Sequence, residues 1–338
     1  MRPCLPPANA AAGHPLFGVL LARAVEGTRP HHRSDPHVVA LAVEGGGMRG
    51  AAAAGMCLVL EAAGLMSAFD RVYGCSSGAV TGAYAAAGQA PVWATSFEDC
   101  ARREFIDPAR AFRGGPLVDL DFLFDEVIAR RRPLSEDDLA AGPEVRAVAV
   151  AADSAELRVL GGFSGIPDLL GALRASCALP LLAGAPPTYR GETLVDGGLL
   201  EPIPYRSALR EGATHVLVLR SHDAGYRGRR QDRFAERVLA RAQPELASML
   251  QSCSRRYHHD AAELQRLEHD GAAVLRQVTV PDGTRLVPRF STDAARIAAD
   301  VRLGAVTMAS ALYGARATQF WQPFPELLAG RQARQLAA

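Results

Sequence analysis

The chain alternates short apolar runs with longer segments in which apolar residues recur at helical spacing. Residues 37–43 form the first apolar run and precede a helical segment at 51–63, and residues 70–73 precede another at 79–87. Strands that alternate with helices in this way build parallel sheets, because each helix carries the chain back across one face. The sequence therefore predicts an α/β fold with a mainly parallel central sheet. The same pattern predicts later elements at 145–151, 157–160, 167–178, 216–219, 274–280 and 293–312.

A serine stands at the junction between the second strand and its helix. Residues 74–78 read Gly-Cys-Ser-Ser-Gly, so Ser76 has Gly74 two positions before it and Gly78 two positions after it. A serine on so tight a turn has a strained backbone, and glycine on both sides lets the neighbouring chain pass close by. This pattern predicts a nucleophile elbow, which presents the hydroxyl at the carboxyl edge of the sheet. Cys75 is expected to point back into the sheet in a packing role, and Ser77 opens the helix.

A glycine-rich loop connects the first strand to its helix. Backbone N–H groups freed by successive glycines converge on negative charge, either a cofactor phosphate or the oxyanion of an acyl-transfer intermediate. The spacing Gly-x-Gly-x-x-Gly also fits a dinucleotide site, but that site needs an acidic residue at the end of the second strand, where this chain has Ser76. The oxyanion interpretation is therefore favoured, and the dinucleotide site is the lesser alternative. The loop consists of Gly45, Gly46, Gly47, Met48, Arg49 and Gly50.

A carboxylate ends a later short strand. Asp196 follows the apolar pair at 194–195 and precedes Gly197 and Gly198. An acid at a strand end followed by two glycines can reach the end of a neighbouring strand, although such turns are common without any chemical role. The presence of the serine motif and the glycine loop in the same chain favours a catalytic role for Asp196.

In the order of these motifs the chain resembles the patatin-like phospholipase family. Residues 45–50 are similar to the family's oxyanion loop, 74–78 to its nucleophile elbow, and 196–198 to the motif that carries its dyad acid. Residues 175–180, Ala-Ser-Cys-Ala-Leu-Pro, are similar to the family's Ala-Ser-x-Ala-x-Pro segment. The resemblance extends from about residue 37 to about 314. It departs from the family where an asparagine usually follows Asp-Gly-Gly, a position that supports the loop more than the chemistry.

The resemblance implies a three-layer α/β/α fold and hydrolysis of acyl esters, typically those of lipids, by a serine–aspartate dyad without histidine. Ser76 would attack the ester carbonyl and Asp196 would accept its proton. That role requires a pKa above the ordinary value of about 3.9, and hence partial burial. Water would then hydrolyse the acyl-enzyme. The implied oxyanion hole consists of the amides of Gly46, Gly47 and Met48, with an amide near Ser77.

Two features near the implied site concern substrate contact. Arg49 either orients the loop, contacts a substrate phosphate, or forms a salt bridge across the base of the helix. Residues 97–137 are less regular than the rest of the chain and carry several apolar side chains. We expect this insertion to line an acyl pocket or to be ordinary core.

Two other classes of function stay open. An α/β-hydrolase has its triad in the chain order Ser, Asp, His, and His222, just after the predicted strand at 216–219, is the best placed histidine. A non-catalytic lipid-binding or interaction protein on the same fold has no chemical need for a nucleophile, a base and an oxyanion hole together. The other histidines after Asp196 are His215, His258, His259 and His269.

Composition limits the partners. The formal net charge of +1 argues against bulk nucleic-acid binding, and the arginines between 220 and 241 alternate with acidic residues as on a solvated helix face. The six cysteines form no Cys-x-x-Cys pair, and no acidic cluster has calcium-ligand spacing, so we expect no metal and no cofactor. Free thiols indicate a reducing compartment and hence a cytoplasmic protein. A lipid ester is the expected partner, and the oligomeric state stays open.

The N-terminal segment is expected to be an accessory to one large domain. Residues 16–25 predict an amphipathic helix that packs on the domain or contacts a lipid surface peripherally, since no apolar run reaches the roughly 18 residues that span a bilayer. With 338 residues and 49% hydrophobic content, the chain can bury one large core. We therefore expect a helical extension and linker at 1–36, a patatin-like hydrolase domain at 37–330, and a frayed tail at 331–338.

Overall fold

One mixed sheet forms the centre of the protein in a computed structural model that describes residues 14–226, 244–270, 274–314 and 317. Within these residues the strands are β1 Val39–Val43, β2 Arg71–Cys75, β3 Glu144–Ala151, β4 Leu157–Leu160, β5 Thr188–Tyr189, β6 Glu192–Asp196, β7 His215–Asp223 and β8 Val274–Val280. Their spatial order is β5-β6-β3-β2-β1-β7-β8, with β4 also paired to β3. The neighbouring strands β3, β2, β1, β7 and β8 are parallel to one another, whereas β4 and β6 are antiparallel to β3.

Helices cover both faces of this sheet. They are α1 Pro15–Glu26, α2 Gly50–Ala62, α3 Ser77–Ala86, α4 Ala90–Cys100, α5 Pro108–Phe112, α6 Glu136–Ala141, α7 Ile166–Cys177, α8 Tyr205–Arg210, α9 Pro244–Asp270 and α10 Ala294–Tyr313. A π-helix spans Phe122–Arg131, and single 3₁₀ turns occupy Gly47–Arg49, Met66–Ala68 and Gly197–Leu199.

The two faces of β1 pack into different cores, which makes the fold three-layered. All five residues of β1 are buried. Leu41 and Val43 belong to the larger core, together with side chains of α1, α2, α3 and α10. Ala42 belongs to a second core with Tyr205 of α8 and Tyr257 of α9. The predicted α/β/α architecture with a mainly parallel sheet is confirmed.

The strand register brings the predicted motifs to one edge of the sheet. Val43, the last residue of β1, pairs with Gly74 of β2, so the glycine loop and the serine turn begin side by side. Cys75 pairs with Val148 of β3, and the next residue of β3, Ala149, pairs with Asp196. The antiparallel strand β6 therefore ends at the level where β2 ends.

Most predicted elements occur within two residues of their expected boundaries, and the strand at 274–280 matches in full. The exception is β7, which was expected at 216–219 and spans His215–Asp223. Its pairing with β8 resumes at Asp223 after an irregularity, so the strand continues past its apolar stretch. The expectation that His222 follows the strand is therefore wrong, because it lies inside β7.

The predicted N-terminal helix packs against the domain as α1. Leu16, Phe17 and Leu20 are buried in the larger core. Arg23 is only 1% exposed and forms ion pairs with Asp35 at 2.7 Å and with Asp70 at 2.9 Å. This arrangement agrees with the packed interpretation of the helix, whereas a peripheral lipid contact and the domain boundaries stay predictions.

Two predicted segments lie outside the described residues. They are the tail at 331–338 and the arginine-rich stretch from residue 227 to 241. Among the helices that the structure does describe, none combines the length and apolar character needed to cross a membrane.

Helices α2 and α10 touch through two glycines, which yields a stability prediction. A Cβ at Gly304 would lie 1.8 Å from the carbonyl oxygen of Ala52, so Gly304→Ala must force the helices apart. We expect a loss of about 1–3 kcal/mol in the free energy of unfolding, measured by urea denaturation. Gly18→Ala in α1 is the matched control, because no atom lies within 4 Å of its Cβ position. Helix propensity makes that change neutral or stabilising. Equal losses in both variants would contradict the interpretation.

Candidate active site

Ser76 lies on a strained turn between β2 and α3. Its φ of +53° and ψ of −130° are rare for a residue with a side chain. A Cβ at Gly74 would lie 2.3 Å from the Cα of Ala79, and one at Gly78 would lie 2.4 Å from the carbonyl oxygen of Val43. Both flanking positions therefore require glycine for steric reasons, as expected of a nucleophile elbow.

A second serine holds the backbone of this turn. The amide of Ser76 donates to the hydroxyl of Ser176 at 2.9 Å, and that hydroxyl donates to the Val148 carbonyl at 2.6 Å. Ser176 is completely buried and belongs to the segment 175–180. Sequence reasoning placed this segment in the family pattern but gave Ser176 no role, and the only signal for it was that pattern.

Asp196 is buried beside Ser76. It is 2% exposed, and its Oδ1 accepts a hydrogen bond from the Gly198 amide at 2.8 Å. Burial raises the pKa of Asp196, while the Gly198 amide, the Ser76 hydroxyl and the charge of Arg289 act in the opposite direction. The raised pKa is the condition that a carboxylate needs in order to accept a proton from serine.

Cys75 was expected to have a packing role in the sheet, and in addition its thiol contacts this carboxylate. Its buried Sγ lies 3.7 Å from Oδ1 of Asp196, in the geometry of a weak hydrogen bond donated by the thiol. Burial raises the pKa of the Cys75 thiol well above its ordinary value, and the Asp196 charge raises it further. The thiol is thus neutral and cannot act as a thiolate nucleophile.

The amides of the glycine loop have different partners. The Gly45 amide donates to the Pro202 carbonyl at 3.1 Å, the Gly46 amide donates to the Ser77 hydroxyl at 3.1 Å, and the Met48 amide donates to the Arg289 carbonyl at 2.9 Å. For the amides of Gly47 and Ser77, the described residues provide no acceptor. Two of the three loop amides expected to hold an oxyanion are therefore already hydrogen bonded.

Two cavities meet at Ser76. A narrow apolar cavity of about 60 Å³ is lined by side chains that include Trp93, Phe97, Phe105 and Leu120. A larger cavity of about 420 Å³, which has more polar groups in its lining than the first and is called the polar cavity below, contains both Ser76 and Asp196. The irregular segment expected at 97–137 thus supplies much of the apolar lining. Gly47, Ser76, Leu179, Arg289 and Phe290 border both cavities.

Glu44 directly precedes the glycine loop and is fixed there by several buried partners. Its carboxylate is fully buried and accepts from Arg220 at 3.0 Å, Tyr257 at 2.8 Å and the Ser221 amide at 2.7 Å, and it contacts Nδ1 of His222 at 2.8 Å. Burial opposes ionisation of Glu44, yet His222 and Arg220 and these hydrogen bonds lower its pKa to about 2. The carboxylate therefore stays ionised. Sequence reasoning did not single out Glu44, whose partners lie more than 170 positions away.

His222 lies in the polar cavity but is held by Glu44. Burial lowers the pKa of His222, so the imidazole is neutral at pH 7. Because an ionised carboxylate only accepts, Nδ1 carries the proton, and the buried Nε2 has no partner among the described residues. Those residues record no hydrogen bond from His222 to Ser76 or Asp196.

The other predicted candidates lie apart from Ser76 or lack the expected partners. His215 packs against His37, with ring centroids 4.5 Å apart, and His258, His259 and His269 are on α9. Arg49 forms no salt bridge within the described residues, where the structure also contains no group of three potential metal ligands.

Comparisons with known proteins agree with this geometry. A family model described as patatin-like phospholipase matches residues 41–209, half of the chain. The chain belongs to the patatin-like phospholipase family. The Escherichia coli K12 protein YjjU, described as uncharacterized, is 32% identical over an alignment of 192 residues, and the alignment covers 55% of this chain and 52% of YjjU. The chain thus spans about half the length of this curated relative.

A solved structure gives a weaker likeness. The crystal structure of VipD from Legionella pneumophila matches with a TM-score of 0.41 and 13% identity, covering 82% of this chain and 67% of VipD. This similarity is too low to bear on function. Membership of the patatin-like phospholipase family supports lipid acyl hydrolysis at the level of the family.

The Glu44 cluster of this patatin-like protein yields a second stability prediction. Glu44→Gln leaves the buried Arg220 without its counter-charge, so we expect a loss of roughly 3–5 kcal/mol in the free energy of unfolding at pH 7. Glu126→Gln is the control, because Glu126 pairs with Arg130 on the surface. We expect that change to cost about 1 kcal/mol or less.

The pH dependence follows from the lowered pKa of Glu44. Its contribution is present above the ordinary glutamate pKa of 4.5 and disappears as the pH falls toward about 2. The stability difference between wild type and Glu44→Gln should therefore shrink over this range in urea denaturation. A difference that does not depend on pH would contradict the assignment.

Proposed function

We propose that the protein is a serine carboxylic-ester hydrolase that cleaves lipid esters through a Ser76–Asp196 dyad and an acyl-enzyme intermediate. The observation that carries this proposal is the pairing of a serine on a strained elbow with a buried aspartate whose pKa is raised. Both groups border one cavity, and that cavity adjoins an apolar one. Two adjoining cavities of different polarity suit an amphiphilic ester, because its acyl chain is apolar and its alcohol part is polar.

The first half of the reaction forms the acyl-enzyme. The Ser76 hydroxyl attacks the ester carbonyl as Asp196 takes its proton. The alcohol then leaves with the proton that Asp196 gives back. In the second half a water molecule transfers a proton to Asp196 and attacks the acyl carbonyl. The bond between the acyl group and Ser76 then breaks, Asp196 returns the proton to the Ser76 oxygen, and the fatty acid leaves.

The oxyanion is best assigned to the amides of Gly47 and Ser77. Both lack an acceptor in the described part of the chain, and Ser77 begins α3, whose positive N-terminal end favours negative charge. Gly46 and Met48 contribute only after exchanging their present partners, the Ser77 hydroxyl and the Arg289 carbonyl. In the arrangement that the structure has, Met48 is part of the lining of the apolar cavity.

A Ser-Asp-His triad is the second candidate. A histidine base is supported by the position of His222 in the polar cavity, where its Nε2 has no partner among the described residues. Its Nδ1 pairs with Glu44, however, so Glu44 rather than Asp196 is the carboxylate that holds it. The triad is also disfavoured by the contacts of Asp196, which involve Gly198, Cys75 and Ser76 rather than His222. The dyad is therefore the better supported mechanism.

Labelling with a fluorescent fluorophosphonate tests whether Ser76 is activated. We expect rapid labelling of the wild-type protein and none of Ser76→Ala, because the probe forms its bond with a nucleophilic serine hydroxyl. Ser154→Ala, which removes an exposed serine in a surface turn, should label like wild type. A folded wild-type protein that does not label would instead favour a non-catalytic lipid-binding role.

Ester hydrolysis distinguishes the dyad from the triad. We expect Asp196→Asn to lower kcat on a short-chain p-nitrophenyl ester by at least about 10²-fold, because a general base typically accelerates a reaction by at least that factor. Burial disfavours the charge of Asp196, so this variant should be at least as stable as wild type at pH 7 by urea denaturation. His222→Gln should retain most of the activity, and a loss as large as that of Asp196→Asn would establish the triad instead.

A further inference from the structure

Residues 105–119 form a short hairpin that runs from the apolar cavity to the surface. Its two limbs pair through a β-bridge between Ile106 and Val118, and both of these residues line the apolar cavity next to Ser76. Helix α5 forms the tip of the hairpin, and there Phe112 is 94% exposed. The hairpin therefore connects the wall of the apolar cavity to an aromatic side chain that lies almost entirely in water.

Arg110 holds the hairpin in this shape. Its guanidinium donates to the carbonyl of Phe105 at 3.0 Å on one limb and to the carbonyl of Pro116 at 2.7 Å on the other. It also donates to the carboxylate of Asp119 at 3.0 Å. Because Phe112 follows Arg110 by two residues in the same short helix, these hydrogen bonds fix the tip that carries the ring. The exposure of Phe112 is therefore a property of the folded hairpin.

A second apolar segment lies beside the hairpin. Residues 179–187 carry no charge, and within them Leu181 is 44% exposed at a φ of +66°, which is unfavourable for leucine. The Val118 amide donates to the Leu182 carbonyl at 2.9 Å, so this segment packs directly on the hairpin. Leu179 at its start lines both cavities. Single exposed apolar residues are ordinary, but here two adjoining segments each run from a cavity to one.

The charges around the hairpin tip are mostly positive and face outward. Arg102 is exposed, whereas Asp99, with which it pairs at 3.6 Å, is mostly buried. Arg113 is likewise much more exposed than its partner Asp107, 3.8 Å away. Apolar side chains that are framed by outward-facing arginines fit the surface of a bilayer with anionic head groups. Between residues 102 and 113 the exposed charged side chains are Arg102, Arg103, Glu104 and Arg113, three positive and one negative.

We propose that Phe112, Leu181 and the arginines around them form a docking surface for an anionic lipid bilayer, from which an acyl chain enters the apolar cavity between the two segments. The docking contact is independent of any chemistry, whereas the path of the acyl chain rests on the acyl hydrolase proposed above. Helix α1 is the other lipid contact that the sequence suggested. Its apolar residues Leu16, Phe17 and Leu20 are buried in the core, and Val25 is its exposed large apolar side chain.

Cosedimentation with vesicles measures docking without any reaction. The vesicles consist of ether-linked phosphatidylcholine and phosphatidylglycerol, which contain no ester to cleave. We expect Phe112→Ser to lower the partition coefficient by about 10-fold, because the ring no longer transfers from water to lipid. Val25→Ser, which removes an exposed apolar side chain from α1, should bind like wild type. A loss in Val25→Ser but not in Phe112→Ser would assign the contact to α1 and overturn the proposal, as would a wild-type protein that does not bind.

The preference for anionic lipid is tested with Arg113→Gln. This variant should bind about 5-fold more weakly to vesicles that contain phosphatidylglycerol and equally well to vesicles of phosphatidylcholine alone, because an arginine near the surface is attracted only by the anionic lipid. Arg276→Gln is the matched control, since Arg276 lies on β8 at the other end of the sheet and pairs with Glu268 at 2.8 Å. Equal binding of Arg113→Gln and wild type to the anionic vesicles would overturn the electrostatic part of the proposal.

Two further measurements separate the lipid from another occupant and docking from the reaction. A wild-type dimer in size-exclusion chromatography that dissociates in Phe112→Ser would make the surface a contact between two copies and overturn the lipid assignment. The rate on an ester in vesicles, divided by that on a soluble p-nitrophenyl ester, should fall about 10-fold in Phe112→Ser. An unchanged ratio despite weaker docking would overturn the path of the acyl chain. Docking by a protein that cleaves neither ester would contradict the hydrolase alone and support the docking surface.

Discussion

The close approach of two backbone segments around Ser76 is the constraint on which the site depends. A Cβ at Gly78 would lie 2.4 Å from the Val43 carbonyl oxygen, and one at Gly45 would lie 2.7 Å from the Cys75 carbonyl oxygen. The loop after β1 and the turn after β2 therefore touch without side chains between them. This contact brings the loop amides to the serine, and it stabilises the unfavourable φ of +53° at Ser76, which an isolated turn would not keep.

Two buried carboxylates at this edge have opposite electrostatic surroundings. Glu44 has a guanidinium, a phenol, an imidazole and an amide as partners, so its pKa falls to about 2 and it serves as a fixed anchor. Burial raises the pKa of Asp196, and its partners, which are the Gly198 amide, the Ser76 hydroxyl, the charge of Arg289 and the neutral Cys75 thiol, do not fully compensate for that burial. Incomplete compensation costs stability but provides a base that can accept a proton from Ser76.

The fold class and most element boundaries were predictable because the hydrophobic period is a local property of the chain. The length of strand β7 was underestimated, since residues 220–223 are all polar, and Arg220, Ser221 and His222 are buried through ladder pairing and the Glu44 cluster. The clustering of the serine turn, the glycine loop and Asp196 at one edge was also predictable, from strand ends and motif order. The partners of individual loop amides were not, because the Arg289 carbonyl that engages Met48 lies more than 200 positions away.

The sequence by itself determined which hydroxyl and carboxylate were candidates for chemistry, because the spacing of glycines around Ser76 and after Asp196 is a local property of the chain. Tertiary structure decided the ionisation of those groups, since the pKa of Asp196 depends on burial by distant elements. It also decided that Ser176 holds the serine turn, that His222 is bound by Glu44, and that Arg49 and Arg289 border one cavity. These are contacts between segments far apart in the chain, and no local pattern of residues specifies which of them will meet.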